Sequence, residues 1–113
     1  MDKGICLYDL QPNGCLNGVY TNNSVDGEIF NEIARKHTDV GDDELCGYYN
    51  CFYFDKDGKQ NSRHNAELHI VIKNGTTGTY QFVWTKNKSA VFEGIGYKMN
   101  DRQVAVHYWD KEE

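Results

Sequence analysis

The side chains of this chain that could do nucleophilic, acid–base or metal chemistry are four histidines, four cysteines and seventeen acidic residues. Their spacing argues against each chemistry in turn. His37, His64, His69 and His107 are scattered; no pair has metal-ligand spacing, and no Glu lies at helical reach of two of them. Cys6, Cys15, Cys46 and Cys51 lack the Cys-x-x-Cys spacing of a zinc site. Asp55-Lys56-Asp57-Gly58 opens like a calcium loop but lacks the later Glu, so it reads as a turn. A dyad of Cys51 with His107 is geometrically open, yet a strand cysteine usually packs as a small hydrophobe. The reading is a non-enzymatic protein with no metal and no cofactor.

Aromatic residues make up 13% of the chain and supply a different chemistry, that of binding. Tyr20, Tyr49, Trp84, Phe92 and Trp109 all fall within short apolar runs. Facing inward, such rings would stack on an apolar or amphipathic small molecule, with Asn22 and the tyrosine hydroxyls fixing its orientation. The plainer alternative is that the same rings, each burying on the order of 150–250 Å², fill a small barrel outright.

A chain of 113 residues holds one domain, 1–113, around one core. The net charge of −5 is spread along mixed acidic and basic residues, and no basic stripe suited to phosphates exists, so no nucleic-acid partner is expected. Lys86 and Lys88 flank a turn, and Arg35, Lys36 and His37 end a segment with helical spacing. No apolar run approaches the length of a bilayer span, so no membrane partner is expected either. The opening MDKGICLYDL lacks the long apolar segment and cleavage site of a signal peptide, which predicts a cytoplasmic location. Cysteines there are free thiols by default. Cys6 and Cys15 flank a turn and form the one pair that could be bridged, whereas Cys46 and Cys51 point to opposite faces of a strand. The glycosylation patterns at Asn22, Asn74 and Asn87 mean little without a secretory leader.

Alternation and turn signals place the elements that must position these side chains. Residues 5–10 form an apolar run ended by Gln-Pro-Asn-Gly, a strong turn signal, and 15–21 form its second arm, with Leu16, Gly18, Tyr20 and Asn22 on one face. Ile29, Phe30, Ile33 and Ala34 are spaced for one face of a helix over about 27–37, capped by Ser24 or Asp26; an edge strand is the competing reading, since GEIFNEI partly alternates. Strands follow at 45–54, with Leu45, Gly47, Tyr49, Cys51 and Tyr53 on one face, and at 66–73, with Leu68, Ile70 and Ile72 inward. Asn74-Gly75 is a hairpin signal. The last three strands, 79–85, 90–99 and 103–109, are the clearest. Tyr80, Phe82 and Trp84 share a face, and Phe92, Gly94 and Gly96 share another, where glycine permits close approach of a ring. On the final strand either Val104, Val106 and Tyr108 or Ala105, His107 and Trp109 face in. The pattern is mainly β: a single antiparallel up-and-down barrel-like domain of seven to eight strands with one short helix.

Four segments resemble the avidin and streptavidin family of calycin barrels, and more generally the lipocalins and fatty-acid-binding proteins. Leu16-Asn17-Gly18-Val19-Tyr20-Thr21-Asn22 resembles the family's first strand, Leu-x-Gly-x-Trp-x-Asn, which maps its ligand-loop Asn to Asn22. Leu45-Cys46-Gly47-Tyr48-Tyr49 resembles its Gly-x-Tyr strand, giving Tyr49 as a ligand contact. Tyr80 to Trp84 and Val91-Phe92-Glu93-Gly94 resemble its Trp-bearing strand and the Phe-x-Gly strand after it, giving Trp84 and Phe92, and Trp109 stands for a later wall Trp. The family's first-loop Ser falls near Asp26, and a helix after the first strand is more like the fatty-acid-binding proteins. No strand follows Trp109, but residues 5–10 can fill that gap from the other end by pairing with both the first and the last family-like strands.

The resemblance implies a small-molecule ligand. The other reading is an interaction module with a filled core, in which the doubly aromatic strand 45–54, through Tyr48, Phe52 and Phe54, together with Tyr97, forms a homodimer or partner surface.

Overall fold

The computed structural model describes residues 2–25, 27–41, 43–62, 65–73 and 78–111. The cap at Asp26, His64 and the Asn74-Gly75-Thr76 hairpin signal lie outside the described residues. Eight strands run β1 (Lys3–Leu10), β2 (Cys15–Asn22), β3 (Phe30–Asp39), β4 (Gly47–Phe54), β5 (Ala66–Ile72), β6 (Thr79–Lys86), β7 (Ser89–Lys98) and β8 (Gln103–Asp110). Each pairs antiparallel with the next, and β1 pairs with β8, from Lys3 opposite Trp109 to Asp9 opposite Gln103, so the sheet closes into a barrel. The expected barrel is therefore present, and the first strand does seal the gap between β2 and β8. Among the described residues no helix is long and apolar enough to cross a membrane, a statement about helices alone.

The predicted helix over 27–37 is a strand. β3 pairs with β2 from Phe30 opposite Tyr20 to Arg35 opposite Cys15, and with β4 from Asn31 opposite Phe54 to Asp39 opposite Gly47, with a register shift between Lys36 and Thr38. Its inward row begins Phe30, Glu32, Ala34. A carboxylate in that row hides the alternation, while Ile29 and Ile33 on the other side imitate a helical stripe. Two positive-φ residues, Asn87 and Lys88, make the tight β6–β7 turn, the geometry that matches strand twist.

Inward rows from all eight strands form the core. Tyr8, Tyr49, Phe82, Leu16, Leu45, Leu68, Ile70 and Val104 are fully buried. Rings reach the axis because glycine stands opposite them. A Cβ at Gly18 would lie 2.7 Å from the Tyr8 ring, and one at Gly96 would collide with Phe82. Tyr8 and Phe82 then stack with centroids 6.0 Å apart. On β8 the inward set is Val104, Val106 and Tyr108, which leaves Trp109 on the outer wall. Ile72, expected inward, is half exposed at the end of β5.

The β3–β4 connection, expected to be an acidic loop, folds back into one end of the barrel. Leu45 is completely buried, Cys46 nearly so, and Val40 packs beside them. Tyr49 donates its hydroxyl to the Leu45 carbonyl at 2.7 Å, and Tyr80 donates to Asp43 Oδ2 at 2.8 Å. Lys36 Nζ reaches over the Tyr49 ring and bonds Asp39 and the Glu44 carbonyl. All four cysteines are free thiols. The Cys6–Cys15 bridge does not form because Cys6 pairs with Tyr20 near one end of β2 and Cys15 begins that strand at the other end.

Candidate functional site

The opposite end stays open. A cavity of about 550 Å³ enters there, lined on its walls by Cys6, Tyr20, Asn22, Phe30, Glu32, Tyr53, Trp84, Phe92 and Tyr108, and at its rim by Asp2, Ser24, Val25, Phe54, Asp55 and Lys86 among others. Every strand contributes to the closed wall, and the strand ends of β2, β4, β6 and β8 bring their last inward aromatic to the mouth.

Aromatic edges and faces meet around two rings. Tyr20 lies 5.9 Å from Tyr53 and 6.5 Å from Tyr108, both edge-on, and 5.8 Å from Phe30. Tyr108 in turn meets Phe92 edge-on at 5.7 Å and Trp84 at 5.8 Å. Such offset and edge-to-face pairs hold rings rigidly without closing the space between them. Asn22 donates its amide to the Tyr108 hydroxyl at 3.1 Å, and that hydroxyl donates to the Thr21 carbonyl at 3.2 Å. The Asn22 carbonyl oxygen accepts from the backbone N–H and the hydroxyl of Ser24. Asn22 thus ties the mouth loop to the wall.

Below this ring lies a carboxylate that sequence reasoning missed. Glu32 is 3% exposed. Its Oε2 accepts from the Tyr8 hydroxyl at 2.7 Å and from the Trp84 indole N–H at 3.4 Å. Burial pushes the Glu32 carboxyl up from its ordinary range, against the pull of its bonds from Tyr8, Cys51 and Trp84. Burial, aided by Glu32, likewise raises the Tyr20 and Tyr53 phenols and the Cys6 and Cys51 thiols, so all are neutral at physiological pH. The Tyr108 phenol is pushed up to about 12 by burial. A signal for Glu32 did exist: in the strand reading of GEIFNEI it shares the inward row with Phe30.

Four of the six residues expected to bind ligand, Tyr20, Asn22, Trp84 and Phe92, do come together here. Tyr49 does not, being buried in the closed end. Trp109 does not, since it lies on the outer wall with its indole N–H on Glu93 Oε1 at 3.2 Å. The Cys51–His107 dyad does not form either, because Cys51 faces in while His107 is exposed and packs on Trp109. Among the described residues no three of His, Cys, Asp and Glu are grouped to hold a metal.

The aromatic face of β4 expected to form a partner surface is covered in part. Tyr48 is stacked on His69 at 4.1 Å and flanked by His37, Phe52 lies under Arg35, and Phe54 lines the cavity rim. Five exposed apolar residues, Ile5, Leu7, Val19, Ile95 and Tyr97, gather instead on the opposite wall. Val19, Leu7, Ala105 and Tyr97 stand in register across β2, β1, β8 and β7, next to Ile5, His107 and Ile95.

Comparison with known proteins found no match: no family model, no curated protein and no solved structure.

Proposed function

We propose that this protein binds a small apolar or amphipathic molecule in the open end of its barrel, without transforming it. The observation that carries this reading is the cavity itself: about 550 Å³, walled by fixed aromatic rings and floored by one buried carboxylate. That volume falls in the range of roughly 300–1,000 Å³ usual for ligand sites, and the mixture of apolar wall with few polar groups is what such sites share. The arrangement is similar to the calycin barrels in plan, a closed antiparallel wall with its ligand entering at one end. Native mass spectrometry of freshly purified protein tests the reading, together with thermal shift and Nile red fluorescence. A retained small molecule, or Nile red emission lost in a Tyr20→Ala/Phe92→Ala variant that still folds, supports it. Bare protein with no shift across a ligand panel and no dye uptake removes it.

A second reading is a homodimer joined through the outer wall. It draws on the patch of Ile5, Leu7, Val19, Ile95 and Tyr97, of which Ile5 is 64% and Tyr97 60% exposed. Contiguous apolar surface of this kind usually marks a contact. Light scattering across a dilution series decides: a dimer broken by Leu7→Lys supports it, and a constant 13.0 kDa monomer removes it.

A further inference from the structure

The geometry points to an organic cation as the occupant of the cavity: a protonated amine or quaternary ammonium on an apolar body, with Glu32 as its counter-ion. This rests on the ligand-binding reading above and adds the chemical class.

The first ground is what surrounds Glu32. Tyr8 and Cys6 face it from β1, Tyr20 from β2, Cys51 and Tyr53 from β4, and Trp84 from β6, with Tyr108 on β8 close enough to feel its charge. These are phenols, thiols and an indole, so none of them supplies positive charge. A buried carboxylate without a cation is costly, because neutral donors replace only part of its hydration. A positive ligand would supply the missing charge, since Glu32 is among the residues that line the cavity.

The second ground is the wall. Ammonium groups are drawn to the faces of Trp and Tyr, and the strength of that attraction grows as water is excluded. Here Trp84, Tyr20, Tyr53 and Tyr108 surround the approach to Glu32. The third is the rim, where, among the described residues, Asp2 and Asp55 stand with a single lysine, Lys86, on a chain of net charge −5. That balance favours the entry of cations over anions.

Three probes share one body and differ only in charge: 4-phenylbutylamine, 4-phenylbutan-1-ol and 4-phenylbutyrate. Each is titrated into the intact protein by calorimetry between pH 5 and pH 9, with Nile red as a neutral control for the cavity. The amine is expected to bind about tenfold or more tighter than the alcohol at pH 8, and the carboxylate weakest. The amine's advantage should shrink as pH falls and Glu32 takes up its proton, whereas the alcohol's affinity should stay level. Near that midpoint, amine binding should release a proton, seen as a heat that differs between phosphate and Tris buffers. Glu32→Gln should bring amine and alcohol to parity. Equal or tighter binding of the alcohol or the carboxylate, or an amine preference unaffected by pH, overturns the inference and needs no variant to do so. Nile red uptake with none of the three bound also overturns it while leaving the cavity reading intact. If neither dye nor probe binds, the cavity reading falls, and this inference falls with it.

Discussion

At one end of the barrel the chain between β3 and β4 turns inward. Leu45 and Tyr49 are sealed there, and their polar surroundings are a phenol on a carbonyl and an outer set through Asp43 and Lys36. At the other end Ser24, Val25, Asp55 and Asn61 from the connections line a mouth, and the polar groups, Glu32, Asn22 and Tyr108, lie between rings that leave room. The same eight strands make both ends. Strand number therefore does not decide whether a small barrel is filled or hollow. One inserted connection does, by supplying at one end the side-chain volume that the other lacks.

The comparison can be broken most sharply by truncation at each end. Leu45→Ala is expected to cost about 2–5 kcal/mol in urea unfolding, because it leaves a cavity in a closed core, whereas Phe92→Ala at the half-open mouth should cost about 1 kcal/mol. Equal costs would mean that the two ends are packed alike. Next in size, Tyr49→Phe leaves the Leu45 carbonyl without its donor and should cost on the order of 1–3 kcal/mol, with Nile red uptake unchanged, since the ring lies away from the cavity.

Glu32 sharpens the comparison through pH. Its carboxyl is held above the unfolded value by burial, so between those two values the folded state keeps a proton that the unfolded chain has lost. Stability is then full below the unfolded value and declines as pH rises through the folded one. Glu32→Gln should flatten that decline and be the more stable of the two at the alkaline end, measured by urea unfolding from pH 4 to 9. A variant with an unaltered slope would refute the assignment. Smallest of all, Trp109→Phe should change stability by less than about 0.5 kcal/mol. The remaining emission, from buried Trp84, should be blue-shifted; a red-shifted spectrum like that of tryptophan in water would place Trp84 outside the barrel.

Much of the wall was legible because alternation and turn chemistry agree: Tyr80, Phe82 and Trp84 on β6, or Leu16, Gly18 and Tyr20 on β2, could hardly face otherwise. Three features escaped. β3 was masked by its buried carboxylate, for a strand whose inward row includes Glu32 no longer shows a plain apolar period of two. The role of Leu45 was hidden too, since the insertion of a connection depends on the space left by distant strands. Trp109 was misplaced because the two faces of β8 are equally apolar, Val104, Val106 and Tyr108 against Ala105, His107 and Trp109, and only the partners β1 and β7 break the tie.

The seam between β1 and β8 sets a constraint on how the molecule is made. The ring is completed by its earliest and latest staves, which lie a whole domain apart in sequence. Until the last strand is available, the first has one neighbour only, and two raw hydrogen-bonding borders face solvent. Completion is a long-range event of high contact order, which belongs with folding times of milliseconds to seconds rather than microseconds. A chain cut short before β8 would be a sticky sheet instead of a smaller barrel.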